Sequence, residues 1–109
     1  MSTKTLYKLF DCADVIRSKN SGPYELTFDI IFKEQDIFEK FANLNIMTKT
    51  VFAQLYNIDA DDVISVIAFS QAKAIKITTT RPIASGDLGE TDVYGAQQHA
   101  PLLGFQFEM

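Results

Sequence analysis

Tryptophan is absent from the 109 residues, and cysteine and histidine occur once each, as Cys12 and His99. A lone cysteine closes no disulfide within the chain, and one Cys with one His cannot make up a zinc-site spacing, so no zinc site of that kind is expected. This usage fits a reducing cytoplasm. Basic residues are also few: ten Lys and Arg stand against fourteen Asp and Glu, for a net charge of -4. They are never gathered into a run, which argues against nucleic acid as a partner, because binding its backbone needs a basic patch that releases counterions. Long apolar runs are missing too. None approaches the roughly 20 residues that cross a bilayer, and the opening Met1-Ser2-Thr3-Lys4 lacks the apolar core of a signal peptide. The expectation is a cytoplasmic protein with no membrane partner.

What is present is an ordinary globular balance, 47% hydrophobic and 22% charged, in a length that suits one domain spanning residues 1–109. Nine Phe and four Tyr are many for this size and imply a Phe-packed core or apolar surface kept for a partner. Residues 24–32 alternate, with Tyr24, Leu26, Phe28, Ile30 and Phe32 on one face and Glu25, Thr27 and Asp29 on the other; this predicts a strand with one buried face. The Gly22-Pro23 turn before it makes residues 6–16 the candidate partner strand. Ile37, Phe38, Phe41 and Leu44 then recur at helical spacing, and Asp36 with Glu39 has the form of a capping box. A second helix carries Val51, Phe52, Leu55 and Tyr56, with Thr48 as its N-cap. Residues 63–69 form a nearly continuous apolar run that predicts a strand covered on both faces. Residues 70–80 suit either a helix or a strand, and residues 102–108 read as a final short strand. The order gives an α+β domain, its helices packed on one face of a mainly antiparallel sheet, with a long polar loop before the last strand.

Two polar constellations are candidates for chemistry. Arg17, Ser18, Lys19, Asn20 and Gly22 read as a turn whose backbone N–H groups and two cations suit a carboxylate or phosphate, although solvated turns have the same composition. The long segment 81–101 supplies Arg81, Asp87, Glu90, Asp92, Tyr94, Gln97, Gln98 and His99. A titrating His beside carboxylates is suited to proton transfer, with a structural histidine as the simpler reading of His99. The spacing departs from that of a calcium loop. Cys12 reads as a small buried hydrophobe, and the Phe38, Phe41, Phe52 and Tyr56 set as core. Asp29 would need a cation if its face were covered, and Arg17 or Lys19 is the natural partner.

Asp14-Val-Ile-Arg-Ser-Lys-Asn-x-Gly-Pro-Tyr-Glu-Leu-Thr-Phe-Asp-Ile-Ile-Phe32, together with Arg81-Pro, Ser85-Gly-Asp87 and the run from Thr91 to Leu102, resembles the domain of unknown function 4387 family. Its members are small bacterial and archaeal proteins associated with AtuA, the acyclic terpene utilisation protein. The resemblance covers nearly the whole chain. It implies a companion of AtuA-like proteins near branched organic-acid or acyl-CoA catabolism, and a likeness to the ferredoxin-like α+β domain in which those proteins end. That domain opens with an Arg-Ser-Gly-Asp-Lys-Gly turn, from which this chain departs at Lys19 and Asn20. The same likeness implies a short helix within residues 70–78.

Two readings of function follow. In the first, the chain is a small subunit of an AtuA-type complex, a hydratase or lyase by analogy. Arg17, Ser18, Lys19, Asn20, Gly22, Arg81, Tyr94, Gln97 and Gln98 then hold an anionic organic acid or CoA thioester, and His99 moves a proton with Asp87 or Asp92. In the second, it is a non-catalytic module that forms a homo-oligomer through sheet edges or its Phe-rich helices. No cofactor is indicated by either.

Overall fold

The computed structural model describes residues 4–20, 25–80 and 100–109. A short strand β1, Leu6–Lys8, leads through one helical turn, α1 at Leu9–Cys12, into β2 at Ala13–Asn20. β3 occupies Glu25–Phe32, followed by α2 at Gln35–Asn43 and α3 at Lys49–Tyr56. After a single 3-10 turn come β4, Val63–Phe69, a second 3-10 turn and β5, Ala74–Thr80. The chain ends with α4, Ala100–Leu103, and β6, Gln106–Glu108.

The main sheet has the order β2-β3-β5-β4, and every neighbouring pair in it is antiparallel. β1 and β6 make a separate antiparallel ribbon. The α+β class therefore stands. β3, the two helices and β4, with β5 lying between the strands, form one split β-α-β unit of the ferredoxin-like kind. The strand on the far side of β3 is β2, which precedes the unit in the chain, so the ferredoxin-like connectivity is not reproduced among the described residues.

β3 dictates the core. Leu26, Phe28, Ile30 and Phe32 are all buried on the helix-facing side, as their alternation predicts. Phe28 meets Phe52 edge-on at 5.0 Å and Tyr56 at 5.2 Å, while Phe32 packs on Phe38 and Phe41. Phe41 in turn meets Phe107 of β6 at 5.0 Å, and this contact holds the terminal ribbon against the helices. Thr48 caps α3 as its position predicts, its Oγ1 accepting from the Val51 N–H at 3.1 Å.

Five expectations are corrected. The N-cap of α2 is Glu34, and Asp36 lies inside the first turn, where its Oδ1 accepts from Ile37 N–H; no capping box forms. Residues 74–80 are a strand because Ile75, Ile77 and Thr79 are buried at alternate positions against β3, which overrides the helical spacing of Ala72 and Ile75. β4 is an edge strand rather than one covered on both faces: Ile64, Ile67 and Phe69 are exposed. Residues 102–108 divide between α4 and β6, and residues 9–12 are helical within the stretch read as a partner strand.

Truncating a ring that is fully enclosed leaves a cavity, so Phe52→Ala is expected to cost about 3–5 kcal/mol in denaturant unfolding. Tyr56 adds a pH dependence. Burial pushes its hydroxyl well above the usual value of 10.0, against the weaker opposing effect of a hydrogen bond with the Leu102 backbone. Above that value the unfolded chain loses a proton that the folded one keeps, so stability falls as pH rises. Tyr56→Phe is expected to flatten this alkaline decline in unfolding measured from pH 9 to about 11, around the intrinsic tyrosine range.

Candidate functional site

Strand alternation sends Arg17 and Lys19 to the face of the sheet opposite the helices and Ser18, which is buried, to the inner face. Arg17, Ser18, Lys19 and Asn20 thus belong to the paired part of β2 rather than to a turn, and the four do not form a nest of consecutive backbone donors. The register sets Arg17 opposite Asp29, Asp29 opposite Lys76, and Lys76 opposite Ile67. Arg17 Nε donates to Asp29 Oδ2 at 3.1 Å, the partnership that residue types alone suggested. The side chain of Arg17 is 60% exposed and that of Asp29 16%, so solvent screens the cation and the pair contributes only about 0.2–1 kcal/mol to stability. Its value is positional, because it fixes where the guanidinium stands.

Around this pair lies a shallow groove of about 280 Å³, lined by Arg17, Lys19, Asp29, Ile31, Phe69, Ala72, Ala74 and Lys76. Cations and apolar side chains occupy adjoining rows, since Val15, Ile31, Ala74 and Phe69 are cross-strand partners in the row next to that of Arg17. Lys76 and Phe69 were missed by residue-type reasoning. The signal was there: the strand alternative for residues 70–80 puts Ala74, Lys76 and Thr78 on one face, and choosing a helix concealed it.

Gly22, Arg81, Asp87, Asp92, Tyr94, Gln97, Gln98 and His99 lie outside the described residues. Glu25 at the start of β3 pairs with Thr80 at the end of β5, and Asn20 at the end of β2 pairs with Leu26, so these three strand ends lie at the same end of the sheet.

A second cleft, of about 350 Å³, is bordered by Tyr7, Asp11, Cys12, Lys33, Glu34 and Ile37. Burial first, and the neighbouring Asp11 carboxylate second, push the Cys12 thiol above its ordinary range, so the group is a poor nucleophile at neutral pH. No group of His, Cys, Asp and Glu suited to a metal ion occurs among the described residues, and no helix there is long and apolar enough to cross a membrane.

Compared with known families, the chain matches the model described as domain of unknown function (DUF4387) over residues 9–106. The chain belongs to that family. No curated protein and no solved structure matches it. The DUF4387 match runs from α1 to the first residue of β6, and so takes in the whole main sheet, the groove on it and the second cleft apart from Tyr7.

Cys12 is expected to react with iodoacetamide more slowly than a free thiol at pH 8, with a rate profile whose inflection lies above that of free cysteine. A mass-spectrometric time course over pH checks both, and an inflection below the free-thiol value would contradict the unactivated assignment of Cys12, which is half-buried at the cleft rather than the fully buried hydrophobe expected.

Proposed function

We propose that the chain is an accessory subunit that docks on a larger protein and lends residues to a site at their interface. The observation behind this reading is the contrast between the two edges of the main sheet. β2 carries Asp14, Arg17 and Lys19, charges of the kind that keep an edge from pairing with another chain. β4 carries none, and presents Ile64, Ile67 and Phe69 at exposures of 43%, 46% and 45%. An uncharged, exposed apolar edge suits added strands or apolar packing from a partner.

The family resemblance makes an AtuA-like protein the first partner to test. In this reading the ligand is an organic acid or CoA thioester, whose anionic group falls to Arg17 and Lys19. His99, with Asp87 or Asp92, is the proton-transfer group of a hydration or dehydration. The shallowness of the groove supports a shared site, since small-molecule pockets are ordinarily concave and enclose most of the ligand. A homo-oligomer joined through the same β4 edge is the second reading, and the same three side chains support it.

Sedimentation of the chain alone and mixed with an AtuA-like protein separates the two. A complex is expected, weakened at least about tenfold, or ~1.4 kcal/mol, by Ile67→Lys with Phe69→Lys. No association at micromolar concentrations would defeat the accessory-subunit reading. A self-associating chain that the same substitutions turn into a monomer would establish the second reading in its place. Where the mixture is active, His99→Ala is expected to abolish turnover, and full activity would remove His99 from the chemistry.

A further inference from the structure

The groove on the open face of the sheet carries more positive charge than its own ion pair uses. Arg17, Lys19 and Lys76 line it together with a single carboxylate, Asp29, so that two positive charges remain uncompensated among the described lining residues. They are held there by the register, on a chain whose net charge is -4. Like charges collected against the overall sign of a molecule raise the local concentration of counter-ions of the other sign. Arg17 is committed to Asp29 at 3.1 Å, while Lys19 and Lys76 stand exposed on either side of β3.

The adjoining row is apolar. Ile31 and the half-exposed ring of Phe69 stand there, next to the row of Arg17 and Lys76, while Lys19 stands one row further along, opposite Thr27. An inorganic ion would use only the charged side chains. A ligand with an anionic head and an apolar or aromatic body would use both, gaining charge-assisted hydrogen bonds and buried apolar area.

We propose that this groove binds a phosphomonoester carrying an apolar or aromatic body, the phosphate between Lys19 and Lys76 and the body across Ile31 and Phe69. A phosphomonoester is close to a dianion at neutral pH and so matches the two spare charges, where a carboxylate matches one. The inference rests on the reading of this chain as an accessory subunit with an anion site and narrows the ligand class of that site. It assigns Lys76 and Phe69 as binding residues beside Lys19.

Titration calorimetry on the full chain tests it with 1-naphthyl phosphate as probe, against inorganic phosphate and 1-naphthoate. The naphthyl phosphate is expected to bind at least about tenfold tighter than either, because inorganic phosphate lacks the aromatic body and naphthoate lacks the second negative charge. Lys19→Gln with Lys76→Gln is expected to weaken it at least about tenfold, and Lys40→Gln with Lys49→Gln, on the helical side, to leave it unchanged. Matching thermal midpoints establish that the variants fold. Absence of binding overturns the proposal, as does equal loss in both double variants, which would mean attraction to bulk charge alone. Inorganic phosphate binding as tightly as the ester overturns the apolar half, and naphthoate doing so overturns the choice of phosphate. The titration uses the isolated chain and the partner is read separately by sedimentation, so either proposal can fail without the other.

Discussion

Everything in the main sheet depends on which way β3 faces. Its period of two puts Phe28 and Phe32 against α2 and α3, in contact with Phe52, Tyr56, Phe38 and Phe41. The same period puts Asp29 on the far side, between Arg17 and Lys76. A slip of one residue would turn the two Phe rings to the outer face and bury the Asp29 carboxylate among aromatic rings, and an unpaired charge in such surroundings is far costlier than any single contact here is worth. The core thus fixes the charged row as firmly as it fixes itself. The groove inherits its geometry from rings that never touch it.

The two edges of that sheet are managed differently, and the difference has functional weight. Protective charge on β2 and its absence on β4 cannot be explained by helix packing, because both strands are edges of the same sheet. β4 also contributes Phe69 to the groove, so whatever covers that edge borders the cationic row as well. In the proposed reading, docking and ligand binding would share a boundary, and a partner seated on β4 would supply the wall that a shallow groove lacks. The cleft beside Cys12 is a weaker candidate for chemistry, since its thiol is held protonated by burial and by a neighbouring carboxylate.

Strong local patterns were legible in the sequence, and choices set by distant residues were not. The alternation of β3, the Thr48 cap of α3 and the pairing of Arg17 with Asp29 could each be read from neighbouring residues or from one cross-strand guess. Residues 74–80 could not, since Ala72, Ile75 and Ile77 satisfy both periods and only pairing with β3 decides between them. β4 misled for a related reason: a continuous apolar run looks the same whether it is enclosed on both faces or placed at an edge for a partner to cover. Asp36 and Glu39 matched a capping pattern whose start was displaced, because the chain turns into α2 at Glu34. Lys76 was hidden by the wrong choice for its strand. Of the candidate residues, Arg17, Lys19 and Asp29 gather in one groove, while those from Arg81 to His99 lie outside the described residues.

An acidic chain with a basic groove presents no contradiction once distances are considered. At physiological ionic strength the screening length is about 8 Å, so carboxylates on distant helices contribute little to the potential over the open sheet face. Arg17, Asp29 and Lys76 occupy neighbouring strands in a single row, roughly 5 Å apart from one strand to the next, well within that length. An anion approaching the groove meets this local excess and not the net charge of the molecule. Composition counts charges over the whole chain, whereas recognition responds to those that the register brings together. That is why an overall charge which argues against nucleic acid is compatible with a site for a small anion, too narrow in its charged row to track a polyanion's backbone.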